Sequence, residues 1–177
     1  GTVLLEDFDH TDAIFSFGHN PGTNHPRMMS TLHEASRRGV PIIVFNPLKE
    51  RALEKFASPQ NPVEMATFSS TRIASAYHQV RAGGDLAALK GLMKRIFERD
   101  DGDIAAGGKG VLDRDFIATH TQGIDELKAD IMTTAWEDIL SRCGLTLEAL
   151  DSAVDVYLKA KSVILCYGMG ITQHSHG

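Results

Sequence analysis

Three segments rich in Gly, Asn, Thr and His stand where apolar, β-prone runs stop. Gly18-His19-Asn20-Pro21-Gly22-Thr23-Asn24-His25 follows Ala13–Phe17, Asn46-Pro47-Leu48-Lys49 follows Pro41–Phe45, and Gly168-Met169-Gly170-Ile171-Thr172-Gln173-His174 follows Ser162–Tyr167. A fourth segment, Gly83-Gly84-Asp85, comes after the weaker run Ser75–Val80 and opens a helical stretch. Glycines let a ligand approach the main chain closely. Helix starts offer free N–H groups and a positive dipole end to a phosphate. Such a set binds a nucleotide or dinucleotide without naming a reaction. No Walker motif is present, and no G-x-G-x-x-G follows the first strand, which argues against ATP and NAD.

The remaining reactive side chains read more plainly. His19, His25, His174 and His176 sit on these loops, but no Cys or acidic residue accompanies them at zinc-site spacing, so no protein-held metal is expected. Cys166 lies inside an apolar run and reads as inert core, and Cys143 as a helix end. Met28 and Met29 read as helix-packing residues, Arg37-Arg38 as a solvated helix end, and Asp100, Asp101 and Asp103 as a solvated loop.

The elements that must position the loops follow from periodicity. Ala13–Phe17 and Pro41–Phe45 are nearly continuous apolar runs, the pattern of parallel strands buried on both faces. Between them Pro26 suits a first helical turn, Met28, Leu32 and Ala35 share a face, and Gly39 ends the helix. Strand, helix, strand is a βαβ unit with parallel pairing. Residues 49–56 read as a short helix and Ala57–Pro62 as loop. Asp85 is expected to N-cap a helix carrying Leu86, Leu89, Met93, Ile96 and Phe97 on one face and ending at Asp100-Asp101-Gly102. Gly102–Gly110, with four glycines, reads as a mobile excursion. Helices are expected near 113–120, 124–133 and 146–161, the last capped by Thr146 and lined by Leu147, Leu150, Val154, Tyr157 and Leu158, before the strand Ser162–Tyr167. In open α/β sheets ligands bind beyond the carboxyl ends of the strands, so the four loops are expected to converge on one crevice.

Composition bounds the rest. A chain of 177 residues, 42% hydrophobic and 23% charged, is one globular domain. Its net charge of −5 gives no general footprint for nucleic acid or an anionic membrane. No apolar run is long enough to span a bilayer. Two cysteines cannot form a disulfide framework, which with the lack of a signal-peptide pattern points to a reducing, cytoplasmic setting. A start without Met and a Gly-rich turn near the C-terminus suggest an internal domain of a longer protein.

Taken together and in order, Gly18-His19-Asn20-Pro21-Gly22-Thr23-Asn24-His25-Pro26-Arg27, Asn46-Pro47-Leu48-Lys49-Glu50-Arg51, Gly83-Gly84-Asp85 and Tyr167-Gly168-Met169-Gly170-Ile171-Thr172-Gln173-His174 resemble the cofactor-binding loops of molybdopterin oxidoreductases. The match is to the formate dehydrogenase alpha-subunit-like branch of the dimethyl sulfoxide reductase family and extends over essentially the whole chain.

The resemblance implies a Rossmann-like, three-layer α/β/α domain with a mostly parallel sheet and a helical excursion at about 100–145. It also implies a molybdopterin guanine dinucleotide carrying molybdenum or tungsten. On this likeness Gly18, Asn20, Pro21, Thr23, Asn24 and His25 meet its ribose and phosphates. Asn46, Pro47 and Leu48 lie by the guanosine, Val80, Gly83, Gly84 and Asp85 along its other side, and Gly168, Met169, Gly170 and Gln173 by the pterin or diphosphate. Many relatives carry Asp-Pro-Arg where this chain has Asn46-Pro47-Leu48, so guanine selectivity rests more on Asp85. No catalytic residue falls within the chain, and two distant cysteines cannot ligate an iron–sulfur cluster, which would lie elsewhere in the full protein. The substrate and any electron-transfer partner would be met through other domains, and the isolated segment is expected to be inactive. Two rival readings are a freestanding nucleotide- or sugar-phosphate-binding module without redox activity, and a structural contact domain with a vestigial crevice.

Overall fold

A computed structural model describes residues 2–59, 61–67 and 69–173. After a 3-10 turn at Leu5–Asp9, the chain forms β1 (Ala13–Phe17), α1 (Pro21–Asn24), α2 (Pro26–Arg37) and β2 (Ile42–Phe45). Next come α3 (Arg51–Glu54), β3 (Lys55–Phe56), α4 (Pro62–Thr67), β4 (Thr71–Arg72) and β5 (Ala76–His78). A helical stretch follows: α5 (Asp85–Ala105), α6 (Arg114–His120), α7 (Ile124–Thr133), α8 (Trp136–Cys143) and α9 (Leu147–Lys159). The described chain closes with β6 (Val163–Tyr167) and α10 (Met169–Thr172).

The main sheet has the order β5-β2-β1-β6 and every pairing in it is parallel. Ile14 stands opposite Ile42 on one side and Ile164 on the other, and all five β1 residues are buried. Alternation sends Ile14, Ile42, Val44 and Ile164 to one face, where Met29, Leu32 and Ala35 of α2 cover them. Phe15, Phe17, Ile43 and Phe45 go to the other, against Ala87, Ala88 and Leu92 of α5, Cys143 of α8, and Leu150 and Val154 of α9. This is the expected three-layer α/β/α arrangement. The order reverses direction at β1, with β2 on one side and β6 on the other, so the topological switch point lies between β1 and β6.

Several local expectations are corrected. The helix expected over 49–56 stops at Glu54, because Lys55 and Phe56 pair antiparallel with Arg72 and Thr71. Asp85 is the first residue of α5 rather than its cap; Gly84 takes the cap position. A Cβ there would lie 2.8 Å from the Arg142 carbonyl, so this close crossing leaves the cap to glycine. The buried stripe of α5 is Ala87, Ala88, Gly91, Leu92 and Phe97, whereas Leu86 is 49% exposed. The stripe is turned because α8 and α9 pack onto α5 across Gly91, where a Cβ would lie 2.8 Å from Leu150 and 3.0 Å from Ile139.

Nor does α5 stop at Gly102. It runs to Ala105, and the turn beyond is tied down by carboxylates read as solvated. Asp103 accepts from the Gly110 N–H at 2.8 Å, and Asp100, 2% exposed, accepts from Val111, Leu112 and Arg114. Helix α8 was not foreseen; it and α7 bury Ile139 and Ile131 fully, which draws much of the expected excursion into the core. Thr146 does cap α9, accepting from the Ala149 N–H at 3.2 Å.

Candidate functional site

Because the four strands are parallel, their carboxyl ends share one edge, and the four loops leave from it. The first and last meet backbone to backbone at the switch point. Gly168 N–H donates to the Phe17 carbonyl at 3.2 Å, and Gly170 N–H to the Gly18 carbonyl at 3.3 Å. A Cβ on Gly170 would lie 2.7 Å from the Gly18 oxygen, and one on Gly18 3.0 Å from Gly170 Cα. Gly18 also has φ +54, a region that side chains rarely adopt. Gly18, Gly168 and Gly170 thus make a close backbone joint, tightest at Gly170.

Loop one is organised by its own polar groups. The Asn20 side chain accepts from the Thr23 N–H at 3.3 Å, and the His25 N–H donates to the Pro21 carbonyl at 2.9 Å, closing α1. Pro21 is buried, while Thr23 and Asn24 are exposed. Loop two leans on the strand beside it. Asn46 N–H donates to the His78 carbonyl at 3.1 Å, Gln79 donates to the Pro47 carbonyl at 3.3 Å, and the Tyr77 hydroxyl donates to the Leu48 carbonyl at 2.6 Å. Asn46 is buried and Leu48 exposed. Loop three is pinned to α8, where Arg81 N–H donates to the Cys143 carbonyl at 2.8 Å and the Arg81 side chain to the Ser141 carbonyl at 2.5 Å. Val80 is buried in the cluster beneath α5, so its side chain belongs to the core.

A crevice of about 840 Å³ joins loops three and four: Gly83 and Asp85 line it together with Gly170 and Ile171. Sequence reasoning missed its other wall, which carries Arg81, Lys90, Asp138 and Arg142. The signal for α8 was available, since Trp136, Ile139, Leu140 and Cys143 repeat at helical spacing. Met169, the first residue of α10, and Gln173, which follows its last, are exposed and do not line this crevice. His174 and His176 lie outside the described residues. A second groove, lined by Lys49, Arg51, Glu54, Lys55, Arg72 and Tyr77, lies on the flank near β3 and β4.

The electrostatics of the edge are set by burial. Burial, then the neighbouring His25, depresses the basicity of His19, and burial alone depresses that of His78, so both imidazoles favour the neutral form. Burial pushes the Cys166 thiol up to about 11, which leaves it protonated and unreactive near neutrality. Among the described residues no three His, Cys, Asp or Glu side chains come together as a metal site.

The site can be tested against a bound dinucleotide directly. His19 Nδ1 and His78 Nε2 are buried at the strand ends without a hydrogen-bond partner among the described residues. Such groups cost about 1–3 kcal/mol when left unsatisfied, and a polar ligand would supply partners to them. The glycine joint and the start of the 21-residue helix α5 supply close main-chain approach and a positive dipole end. The residues present fit a phosphate-bearing group.

The family model for molybdopterin oxidoreductases matches residues 2–177. The chain belongs to the molybdopterin oxidoreductase family. Protein YdeP of Escherichia coli K12 is 53% identical over 177 residues, 100% of this chain and 23% of that protein. Formate dehydrogenase H of the same organism is 26% identical over 173 residues, covering 98% of this chain and 20% of the relative. The solved structure of acetylene hydratase from Pelobacter acetylenicus superposes with a TM-score of 0.68 at 16% identity, over 92% of this chain and 19% of that one. The chain therefore spans about a quarter of the length of the curated relatives it matches. The fold class expected from the loops is that of a molybdopterin enzyme, and membership implies a molybdopterin cofactor carrying molybdenum. No helix among the described residues of this molybdopterin oxidoreductase domain is long and apolar enough to cross a membrane.

Proposed function

We propose that this domain holds the guanine dinucleotide form of molybdopterin in a larger, cytoplasmic oxidoreductase. The observation that carries the reading is the joint of Gly18, Gly168 and Gly170 at the switch point, where the first and last loops meet backbone to backbone, beside a crevice reaching Asp85. When bound, the cofactor supplies two-electron redox chemistry at its metal; the protein supplies binding and orientation. The diphosphate would lie over the glycine joint, with Asn20, Thr23 and Asn24 on the ribose side and Met169, Gly170 and Gln173 towards the pterin. Asp85, in the first turn of α5, would accept the paired donors of guanine. Asn46 and Leu48 would contribute less than the Asp and Arg of other members, since an amide has one acceptor oxygen and Leu no donor.

A small-molecule substrate, an electron-transfer partner and any iron–sulfur cluster would be handled by the remainder of the polypeptide. The 177 residues alone would not turn over. The length of the relatives favours this reading over a freestanding nucleotide-binding module. The test is to produce the full-length protein in a host that makes the cofactor, denature it in acid, and quantify the guanine nucleotide and metal released. Stoichiometric guanine nucleotide with molybdenum or tungsten is expected. Less than a tenth of an equivalent of either from matured protein would overturn the reading.

A further inference from the structure

His19 is not among the loop residues that the likeness to the family marks as cofactor contacts, yet it is the most constrained side chain of the first loop. It is only 7% exposed. Its ring lies against the glycine joint: a Cβ on Gly168 would be 3.2 Å from His19 Cα and 3.2 Å from its Cδ2. Its Nε2 lies 3.2 Å from Nδ1 of His25, the two rings bracketing the exposed turn that carries Thr23 and Asn24. Its Nδ1 is buried and has no partner among the described residues.

The two nitrogens of His19 are therefore not equivalent. One has a partner within the chain, and the other has none among the described residues. We propose that His19 is a direct ligand-binding residue of this loop, its Nδ1 donating a hydrogen bond to an anionic phosphate oxygen of the bound dinucleotide while His25 fixes the ring through Nε2. The proton count is consistent with two neutral rings. A Nδ1–H on His19 leaves Nε2 as an acceptor, and His25 then donates its own Nδ1–H to that atom and leaves its Nε2 to solvent. Burial disfavours an imidazolium at His19 and keeps the ring neutral. The proposal rests on the dinucleotide reading above and adds to it a named donor.

Two conservative variants separate the nitrogens. His19→Asn keeps a donor near the Nδ1 position and cannot reach His25; His19→Gln keeps the reach to His25 and loses the Nδ1 donor. Each is made in the full-length protein and matured in a cofactor-producing host. Guanine nucleotide per chain is then measured after extended dialysis, and circular dichroism reports folding. His19→Asn is expected to retain cofactor within about twofold of wild type, and His19→Gln to lose at least tenfold. Retention by His19→Gln with loss by His19→Asn would show that the ring only staples the loop, and equal retention by both would show that His19 touches nothing; either overturns the proposal. If one variant fails to fold, the proposal is judged on the other and on His19→Ala, for which wild-type retention overturns it. Wild-type protein without guanine nucleotide overturns the dinucleotide reading itself and this proposal with it, a result distinct from either variant outcome.

Discussion

Replacing Gly170 by Ala tests the glycine joint at its tightest point. The added Cβ would lie 2.7 Å from the Gly18 carbonyl oxygen and 2.8 Å from Gly18 Cα, both backbone atoms with no rotamer to escape into. An ordinary contact needs at least about half an ångström more, so the first and last loops must part and weaken the 3.3 Å bond from Gly170 N–H to the Gly18 carbonyl. Overpacking of this kind costs about 1–3 kcal/mol, and for a domain of this size each kcal/mol lowers Tm by about 2–4 °C, giving a fall of roughly 2–12 °C. Gly102→Ala is the control: it lies within α5 with nothing within 4 Å of its Cβ. It should raise stability by about 0.5–1 kcal/mol. Calorimetry of the domain reads both effects, and guanine nucleotide content of the full-length protein should fall only for Gly170→Ala. A Gly170→Ala domain that melts with wild type, in a protein that keeps its cofactor, would refute the joint as the centre of the site.

Three other outcomes follow from the geometry. Lys94, 6% exposed, donates to the carbonyls of Met132 at 2.9 Å and Thr134 at 2.8 Å at the end of α7; Lys94→Met should cost about 1–3 kcal/mol in urea unfolding by orphaning both. The Glu64 carboxylate accepts from Ser58 N–H, His33 and Thr71, with Ser58 the main cause, and is held below its ordinary value of 4.5. A depressed acid stabilises above its unfolded pKa and loses that contribution as pH falls through the folded one. Hydrogen-exchange protection factors across residues 58–72, which correct for intrinsic exchange, should therefore fall below about pH 4.5 in wild type, whereas Glu64→Gln should be less protected at neutral pH and show a flatter acid profile. With its thiol pushed up to about 11, Cys166 should resist iodoacetamide at pH 8 and react only near pH 10–11, read by mass spectrometry; rapid alkylation at pH 8 would contradict its burial.

Legibility in the sequence followed burial. β1 and β2 were plain because strands buried on both faces are written as unbroken apolar runs, and β6 carries the same run although Leu165 and Tyr167 are exposed at the sheet edge. β5 was faint because Tyr77 and His78 interrupt the run, and Tyr77 is there to brace the second loop through Leu48 and Glu50. The site glycines were readable as turns, but their purpose was not: that Gly170 meets Gly18 depends on a pairing across the whole chain. Asp100 and Asp103 looked solvated because a carboxylate accepting main-chain N–H groups has no local signature. Helix α8 was missed because it has eight residues and no side-chain cap, and with it went Asp138 and Arg142 on the crevice wall. His19 was visible as a residue but not as a contact, since only the fold shows one nitrogen engaged and the other idle.

The pairing of β1 with β6 also sets a clock. Ser162 N–H reaches the Asp12 carboxylate at the foot of that pairing across 150 residues. Contacts so distant in sequence form late, and at about 5–20 residues per second a ribosome needs roughly 8–30 s to make the intervening chain. During that interval β1 has one flank bare and the first loop has no opposing glycines, so the seat proposed for the cofactor is incomplete. If the proposed site holds the cofactor, insertion would follow the emergence of β6 and meet a nearly finished domain rather than a growing one.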